Sequence, residues 1–427
     1  MSVLIVGSIG LDDIKTQLAE HKNLLGGSAS YGAVSASNFG PVNLVGIVGE
    51  DFPKEHIDLF CNRGIDLKGL QIVPGETFRW SGEYMWDMNT RETLSIALNV
   101  FEHFTPTLPK EYHDTAFVLL ANIAPDLQHH VLNQVTQPRF VIADTMDLWI
   151  NIAKESLTKL VARVDMLILN DGEARQFTGE TSLIKAGKAI RAMGPRYVAI
   201  KKGEHGCLLF GPEAEFFSCP AYPLEDIHDP TGAGDSFAGG LAGYLAANAA
   251  SGEVTFELLK KAVVYGSVLA SYNVEAFSLE RLKTVDADQI ESRYQLFRQI
   301  AQFTSGDCAG RALREVSGGE PAGHVPQLLD GASDGRGEHL RQGHADEQRG
   351  ESRDDDIATD LSEKLIGRRR RRRFFGAHAL GDASLHREQH NADQQRRDDE
   401  AVHYDALRES HDARRRGAGG RGAITRR

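Results

Sequence analysis

One stretch of the chain, Asp229-Pro-Thr-Gly-Ala-Gly-Asp235-Ser-Phe-Ala-Gly-Gly240, holds the residue types best arranged for chemistry. Gly232 and Gly234 let the backbone turn tightly and approach a ligand closely. The Ala- and Leu-rich run over 235–248 reads as a helix. Its first N–H groups and its dipole would face whatever lies over the turn, which suits an anion. A carboxylate at that point makes chemical sense if backbone holds the anion and Asp235 takes a proton. A kinase acting on a hydroxyl group needs that pairing. The plainer role for Asp235, stabilising the start of its helix by about 1 kcal/mol, accounts for neither glycine.

Other nucleotide motifs do not compete. The chain has no G-x-x-x-x-G-K-[ST], so it is not a P-loop enzyme. The turn nearly fits a dinucleotide fingerprint, but Phe237 occupies the third glycine position and the run lies late in the chain. Both points argue against hydride transfer.

The elements that must position this loop follow from the apolar pattern. Short apolar runs at 3–6, 42–48, 116–120, 140–143, 166–169, 197–200 and 207–210 read as strands. Helical patterns at 28–38, 126–135, 148–161 and 182–193 lie between several of them, and 254–303 reads as two closing helices. Such alternation predicts an α/β fold, a doubly wound, mainly parallel sheet flanked by helices. Two segments, about 9–25 and 69–101, lack the helical period, and alternating aromatic and polar residues in the second predict a small side sheet. Placed early in an α/β domain, that sheet is a candidate β-sheet lid over a pocket.

Residues 1–304 carry 25 basic and 37 acidic side chains, whereas 305–427 carry 23 of each, so the whole net charge of −12 belongs to the first part. That acidity disfavours a broad nucleic-acid surface. Cys61, Cys207, Cys219 and Cys308 form no metal-like grouping and fit a reducing compartment. The apolar start reads as a strand and not a signal segment, and no apolar run reaches the roughly 18 residues of a membrane helix. A soluble, cytoplasmic protein is expected. The kinase-like domain is expected over 1–304. Residues 305–427, almost pure in Arg among their cations and poor in aromatics, read as a disordered tail. The abrupt change of composition looks like another reading frame or a fusion. The Arg run at 368–373 would be the place for nucleic-acid binding, against which stands the tail's overall neutrality.

The twelve residues from Asp229 to Gly240 resemble the C-terminal signature of the ribokinase-like, PfkB-type carbohydrate and nucleoside kinases. Leu25-Gly26-Gly27-Ser28-Ala29 resembles their N-terminal Gly-Gly signature and Asn170-Asp-Gly-Glu173 their Asn-x-x-Glu motif, in the expected order over about residues 1–303. The resemblance implies a doubly wound α/β domain with a β-sheet lid. It implies Asp235 as catalytic base, and Gly232, Ala233 and Gly234 as the anion hole for the transferring phosphoryl group. It implies ATP and Mg²⁺ as partners of the reaction, with Asn170 and Glu173 organising Mg²⁺ largely through water. The helix-start role of that pair, a capping box, is compatible with it. Lys201, Gly203 and Gly206 resemble the family's nucleotide-binding turn.

Asp12 falls where the family grips vicinal hydroxyls, and Gly26 and Gly27 where the sugar approaches backbone. Some members coordinate K⁺ through the loop at the positions of Asp229 and Thr231. Gly10 and Ser28 replace an asparagine and a lysine of ribokinases themselves, which argues against ribose as the substrate. The leading expectation is a small sugar and the runner-up a nucleoside, with Phe78, Trp80, Tyr84 and Trp86 available to stack on either. Family members often form homodimers through the lid. A silent regulatory relative is the contrary class, and an intact Asp235 with its glycines counts against it.

Overall fold

In the computed structural model, which describes residues 1–249 and 253–302, two sheets share one chain. In chain order the first half comprises β1 (Val3–Val6), β2 (Gly10–Lys15), β3 (Glu20–Gly26), α1 (Ser28–Ala36), β4 (Val42–Gly49), α2 (Lys54–Asn62), β5 (Ile65–Val73), β6 (Phe78–Tyr84), β7 (Arg91–Ala97) and β8 (Phe117–Leu120). Next come α3 (Pro125–Leu132), β9 (Phe140–Asp144), α4 (Asp147–Ile152), α5 (Lys154–Val161), β10 (Met166–Asn170), α6 (Asp171–Thr178), α7 (Leu183–Ala192) and β11 (Tyr197–Lys201). The chain continues through β12 (Cys207–Phe210), β13 (Phe216–Cys219), α8 (Ala233–Asn248), α9 (Phe256–Asn273) and α10 (Ala287–Ala301).

The large sheet runs β13-β12-β11-β10-β9-β8-β1-β4-β5, parallel except at β12 and β13. Its central strands β1, β8 and β9 are buried along their whole length because helices cover both faces, so they read as apolar runs, interrupted only by Asp144 at the end of β9. One apolar cluster lies under α1, α8, α9 and α10, and the other under α3, α5, α6 and α7. The chain reverses its direction of winding at β1, which has β8 on one side and β4 on the other. Open α/β sheets bind ligands at such a switch point, beyond the carboxyl ends of the strands.

The small sheet, β3-β2-β6-β7, is the side sheet expected from the sequence. Its second segment starts later than expected, because residues 69–73 belong to β5 at the edge of the large sheet. The helical stretch at 148–161 is two helices, since Ala153 (φ −136°, ψ 29°) leaves helical geometry between α4 and α5. Among the described residues no helix is long and apolar enough to cross a membrane. The reading of 305–427 as a tail lies outside the described residues.

Candidate active site

The glycine-rich loop is held from below by Asp229, which is fully buried. One carboxylate oxygen accepts the Thr231 N–H at 2.8 Å and the other the Ser278 N–H at 2.9 Å. The Thr231 carbonyl in turn accepts the Asn273 side-chain amide at 2.7 Å. These bonds give Asp229 and Thr231 the work of shaping the loop. Each engaged oxygen keeps a second acceptor site, so Asp229 and Thr231 are compatible with the K⁺ expected there, and no step of the chemistry runs through it.

Gly232 then takes φ 75°, and α8 starts at Ala233. The Ala233 N–H is spent on the Pro230 carbonyl at 3.2 Å. No described residue accepts the N–H of Gly232 or Gly234, so these two are the loop's unspent donors. Asp235 sits in the first turn of α8. Burial pushes its carboxyl up to about 7, the Asp144 charge adds to this, and Lys201 and Arg91 oppose it.

Asp12, on β2, is buried with its carboxylate laid on Gly26, where an added Cβ would sit 2.0 Å from Oδ2. Burial raises its pKa well above the carboxylate range, and the charges of Asp229, Asp235 and Asp13 add to it. Asp12 therefore shares one acidic pocket with the loop. Gly27 precedes α1 at φ 92° and brings that helix against the end of β1. There the Ser28 and Ser8 hydroxyls meet, and Ser28 Oγ donates to the Asn122 carbonyl beyond β8 at 3.1 Å.

Asp144, Asn170 and Lys201 are the last residues of the adjacent strands β9, β10 and β11. Asn170 and Glu173 form a capping box: Asn170 Oδ1 accepts the Glu173 N–H at 2.8 Å, and Glu173 Oε2 accepts the Asn170 N–H at 2.7 Å. Burial pushes the Glu173 carboxyl up to about 7, with Lys201 opposing and Asp144 adding. The Lys201 ammonium lies 3.3 Å from both Asp144 oxygens and 2.8 Å from where a Cβ on Gly234 would be. Beyond β11, the turn holding Gly203 (φ 54°) and Gly206 (φ 83°) closes with the Lys202 N–H on the Gly206 carbonyl.

The small sheet reaches across this edge. The Thr231 hydroxyl lies 3.3 Å from the Tyr84 hydroxyl, and Asn89, in the β6–β7 turn, has Oδ1 2.9 Å from an ideal Cβ on Gly203. Arg91 stands opposite Tyr84 in the ladder, its guanidinium 5.5 Å from the Trp80 ring. Its charge favours ionised Asp12 and Asp235. Of the aromatics, Tyr84 is buried towards the loop, Phe78 packs on Phe101, and Trp86 is 85% exposed. Thus the structure brings together the sequence-predicted Asp12, Gly26, Asp229, Thr231, Gly232, Gly234, Asp235, Glu173 and Lys201. It adds Asp144 and Arg91, which sequence reasoning missed.

Raised carboxyl pKa values carry a stability consequence. Asp12, Asp229, Asp235 and Glu173 hold protons in the folded state at pH values where the unfolded chain has lost them. The folded form binds more protons, so their contribution is full below the ordinary carboxylate range and is lost as pH rises through the raised values. The melting temperature of the ligand-free protein is expected to fall between about pH 5 and pH 8, and less steeply in Asp235→Asn. A melting temperature flat or rising across that window would contradict the acidic pocket.

Residues 8–282 match the profile described as pfkB family carbohydrate kinase. A cytidine kinase of Thermococcus kodakarensis is 30% identical over 250 residues, covering 57% of this chain and 88% of that protein. A nucleoside kinase of Methanothermobacter thermautotrophicus is 26% identical over 266 residues, covering 61% of this chain and 81% of that one. In fold, the chain is similar to the Methanocaldococcus jannaschii nucleoside kinase, an archaeal member of the ribokinase family, with a TM-score of 0.55 at 20% identity over 69% of this chain and 98% of that structure. The chain belongs to the pfkB family of carbohydrate kinases, whose members include sugar and nucleoside kinases.

Proposed function

We propose that this protein transfers the terminal phosphoryl group of ATP to a hydroxyl of a nucleoside. Asp235 is the general base. The observation that carries this reading is its place: a carboxyl pushed up to about 7, beside the unspent Gly232 and Gly234 amides and in reach of the Asp12 pocket. A base with a pKa near the working pH combines adequate ionisation with adequate basicity. The amides stabilise charge spreading over the transferring group. Asp12 holds the paired hydroxyls of the acceptor's sugar, and the small sheet is the lid that excludes water above them.

The residues present fit Mg²⁺. Glu173 spends Oε2 in the capping box and leaves Oε1, while among the described residues no three acidic, His or Cys side chains gather into a direct cage. Mg²⁺ keeps several waters and needs one or two carboxylates besides phosphates. Bound there, it would neutralise phosphate charge, with Glu173 and Asn170 holding its waters.

The nucleoside is favoured by the two curated relatives, both named nucleoside-type kinases, and by Trp80 and Arg91 stacked on the same sheet as Asp12. A free sugar is the second reading, supported by the carbohydrate-kinase profile. Turnover of cytidine, uridine, inosine, adenosine and free sugars with Mg-ATP separates them. Phosphorylation of free sugars with no nucleoside turned over sinks the nucleoside assignment.

Gly26→Ala tests the acceptor side separately. Its Cβ would displace the Asp12 carboxylate, so the acceptor KM is expected to rise at least about tenfold, with the ATP KM unchanged. Steady-state kinetics with each substrate varied reads this. Equal effects on both constants would show that Asp12 does not serve the acceptor alone.

A further inference from the structure

Asp144 has no part in the reaction described so far. It is the buried end of an ion pair whose other end faces the phosphate loop: the Asp144 side chain is 5% exposed and that of Lys201 18%. The two residues end β9 and β11, with β10 between them, since Ile168 of β10 aligns with Asp144 and Asn170 with Lys201. Two strand spacings amount to roughly 10 Å, so only a long side chain extended across the end of β10 closes the gap. Left to itself a lysine stem has many rotamers and a strongly hydrated head. Here its head rests in one place, over Gly234.

Asp144 is itself firmly held. Its carbonyl accepts the Gln128 side-chain amide at 3.0 Å, and that same amide also grips the Leu120 and Ala121 carbonyls. Its Oδ1 accepts the Thr145 N–H at 3.1 Å. The carboxylate is thus a fixed point on rigid strand ends. Burial lowers the Lys201 pKa, but Asp144, Glu173 and Asp235 together outweigh burial and raise the pKa above the usual lysine value. An ammonium has three donors. Asp144 takes up one side of it, and no other described acceptor engages the rest.

We propose that Asp144 is a positioning residue that holds the Lys201 ammonium against the Gly232–Gly234 turn, where the lysine binds the donor's terminal phosphates. The assignment rests on the kinase reading of that turn. It separates two jobs that one lysine would otherwise do poorly: staying charged where little water reaches, and pointing at the phosphates before they arrive.

A double-mutant cycle on Asp144→Asn and Lys201→Met tests it, with binding of AMP-PNP followed by calorimetry and kcat measured on the best acceptor. Lys201→Met is expected to weaken AMP-PNP about 30-fold, the loss of one hydrogen bond from a charged donor. Asp144→Asn is expected to weaken it about tenfold, and to change it less than about twofold once Lys201 is Met, because a positioning residue has nothing left to position. The acceptor KM stays unchanged throughout. An Asp144→Asn effect of the same size in both backgrounds, or none in either, overturns the proposal.

Where Asp144→Asn does not fold, Asp144→Glu is read instead. It keeps the charge but shifts the ammonium by a methylene, so kcat falls while the acceptor KM holds. An Asp144→Glu enzyme with the wild-type kcat overturns the proposal equally. A wild type that binds AMP-PNP but phosphorylates no nucleoside or sugar removes the kinase reading, while the calorimetric cycle still decides the Asp144–Lys201 coupling. A wild type that does not bind AMP-PNP removes both.

Discussion

Asp235→Asn is expected to lower kcat about 1,000-fold, with both KM values within about threefold of wild type. The change is isosteric, keeps the α8 N-terminus, and removes the carboxylate charge together with the ability to take a proton. The wild-type pH profile supplies an independent reading. Asp235 works when ionised, and its carboxyl is pushed up to about 7, first by burial and then by Asp144. Hence kcat/KM should climb with pH up to about 7 and flatten above it. Ligand-free acidic groups stabilise the protein in the opposite sense, so activity and melting temperature should move in opposite directions across the same window. An acid limb surviving in the residual activity of Asp235→Asn would belong to Glu173, whose carboxyl is also pushed up to about 7. Activity of Asp235→Asn above a tenth of wild type would remove the assigned base.

Most of this arrangement was legible in the chain because its determinants are local. The strands at 3–6 and 166–169 are short apolar runs that could only be covered on both faces, and they are buried throughout apart from Asn170 at the end of β10. The stretch at 229–234 carries its own geometry in two glycines and a proline. Asn170 and Glu173 stand at capping-box spacing, and the box forms.

What was missed depends on partners distant in sequence. β5 has only Ile65 and Gly69 buried, so at the sheet's edge it lacks an apolar run. Asp144 ends a strand read as stopping one residue earlier, and its meaning arises from Lys201, 57 residues on. Arg91 is an ordinary exposed arginine until the ladder sets it opposite Tyr84. A charged residue closing a parallel strand beside a motif-bearing one was the available signal for Asp144. For Arg91 the register of the small sheet decides, and alternation alone does not fix register.

Gly232→Ala should be the next most damaging change after loss of the base, for a reason that lies outside the chemistry. At φ 75° an alanine is strained by about 1–3 kcal/mol. Its Cβ would also fall 2.3 Å from a ring carbon of Tyr31, which is 1% exposed and has no room to withdraw. The loop cannot yield by rotating in place, because Asp229 pins Thr231 and Ser278, and Asn273 pins the Thr231 carbonyl. It must therefore lift as a unit, carrying the Gly234 amide and Asp235 out of line with the acceptor. A displacement of about 1 Å at reacting groups costs roughly 100-fold, so kcat should fall by about that much, with a lower melting temperature.

Trimming the ring provides the control. In a Tyr31→Leu background the steric part of the Gly232→Ala penalty should shrink while the backbone strain remains, and the two substitutions will be strongly non-additive. If Gly232→Ala keeps the wild-type kcat, or if its cost is the same with and without the Tyr31 ring, then the close approach of loop to α1 does not set the position of Asp235. The glycine would then serve the turn alone, and the alignment of base and anion hole would have to come from the α8–α9 packing beneath.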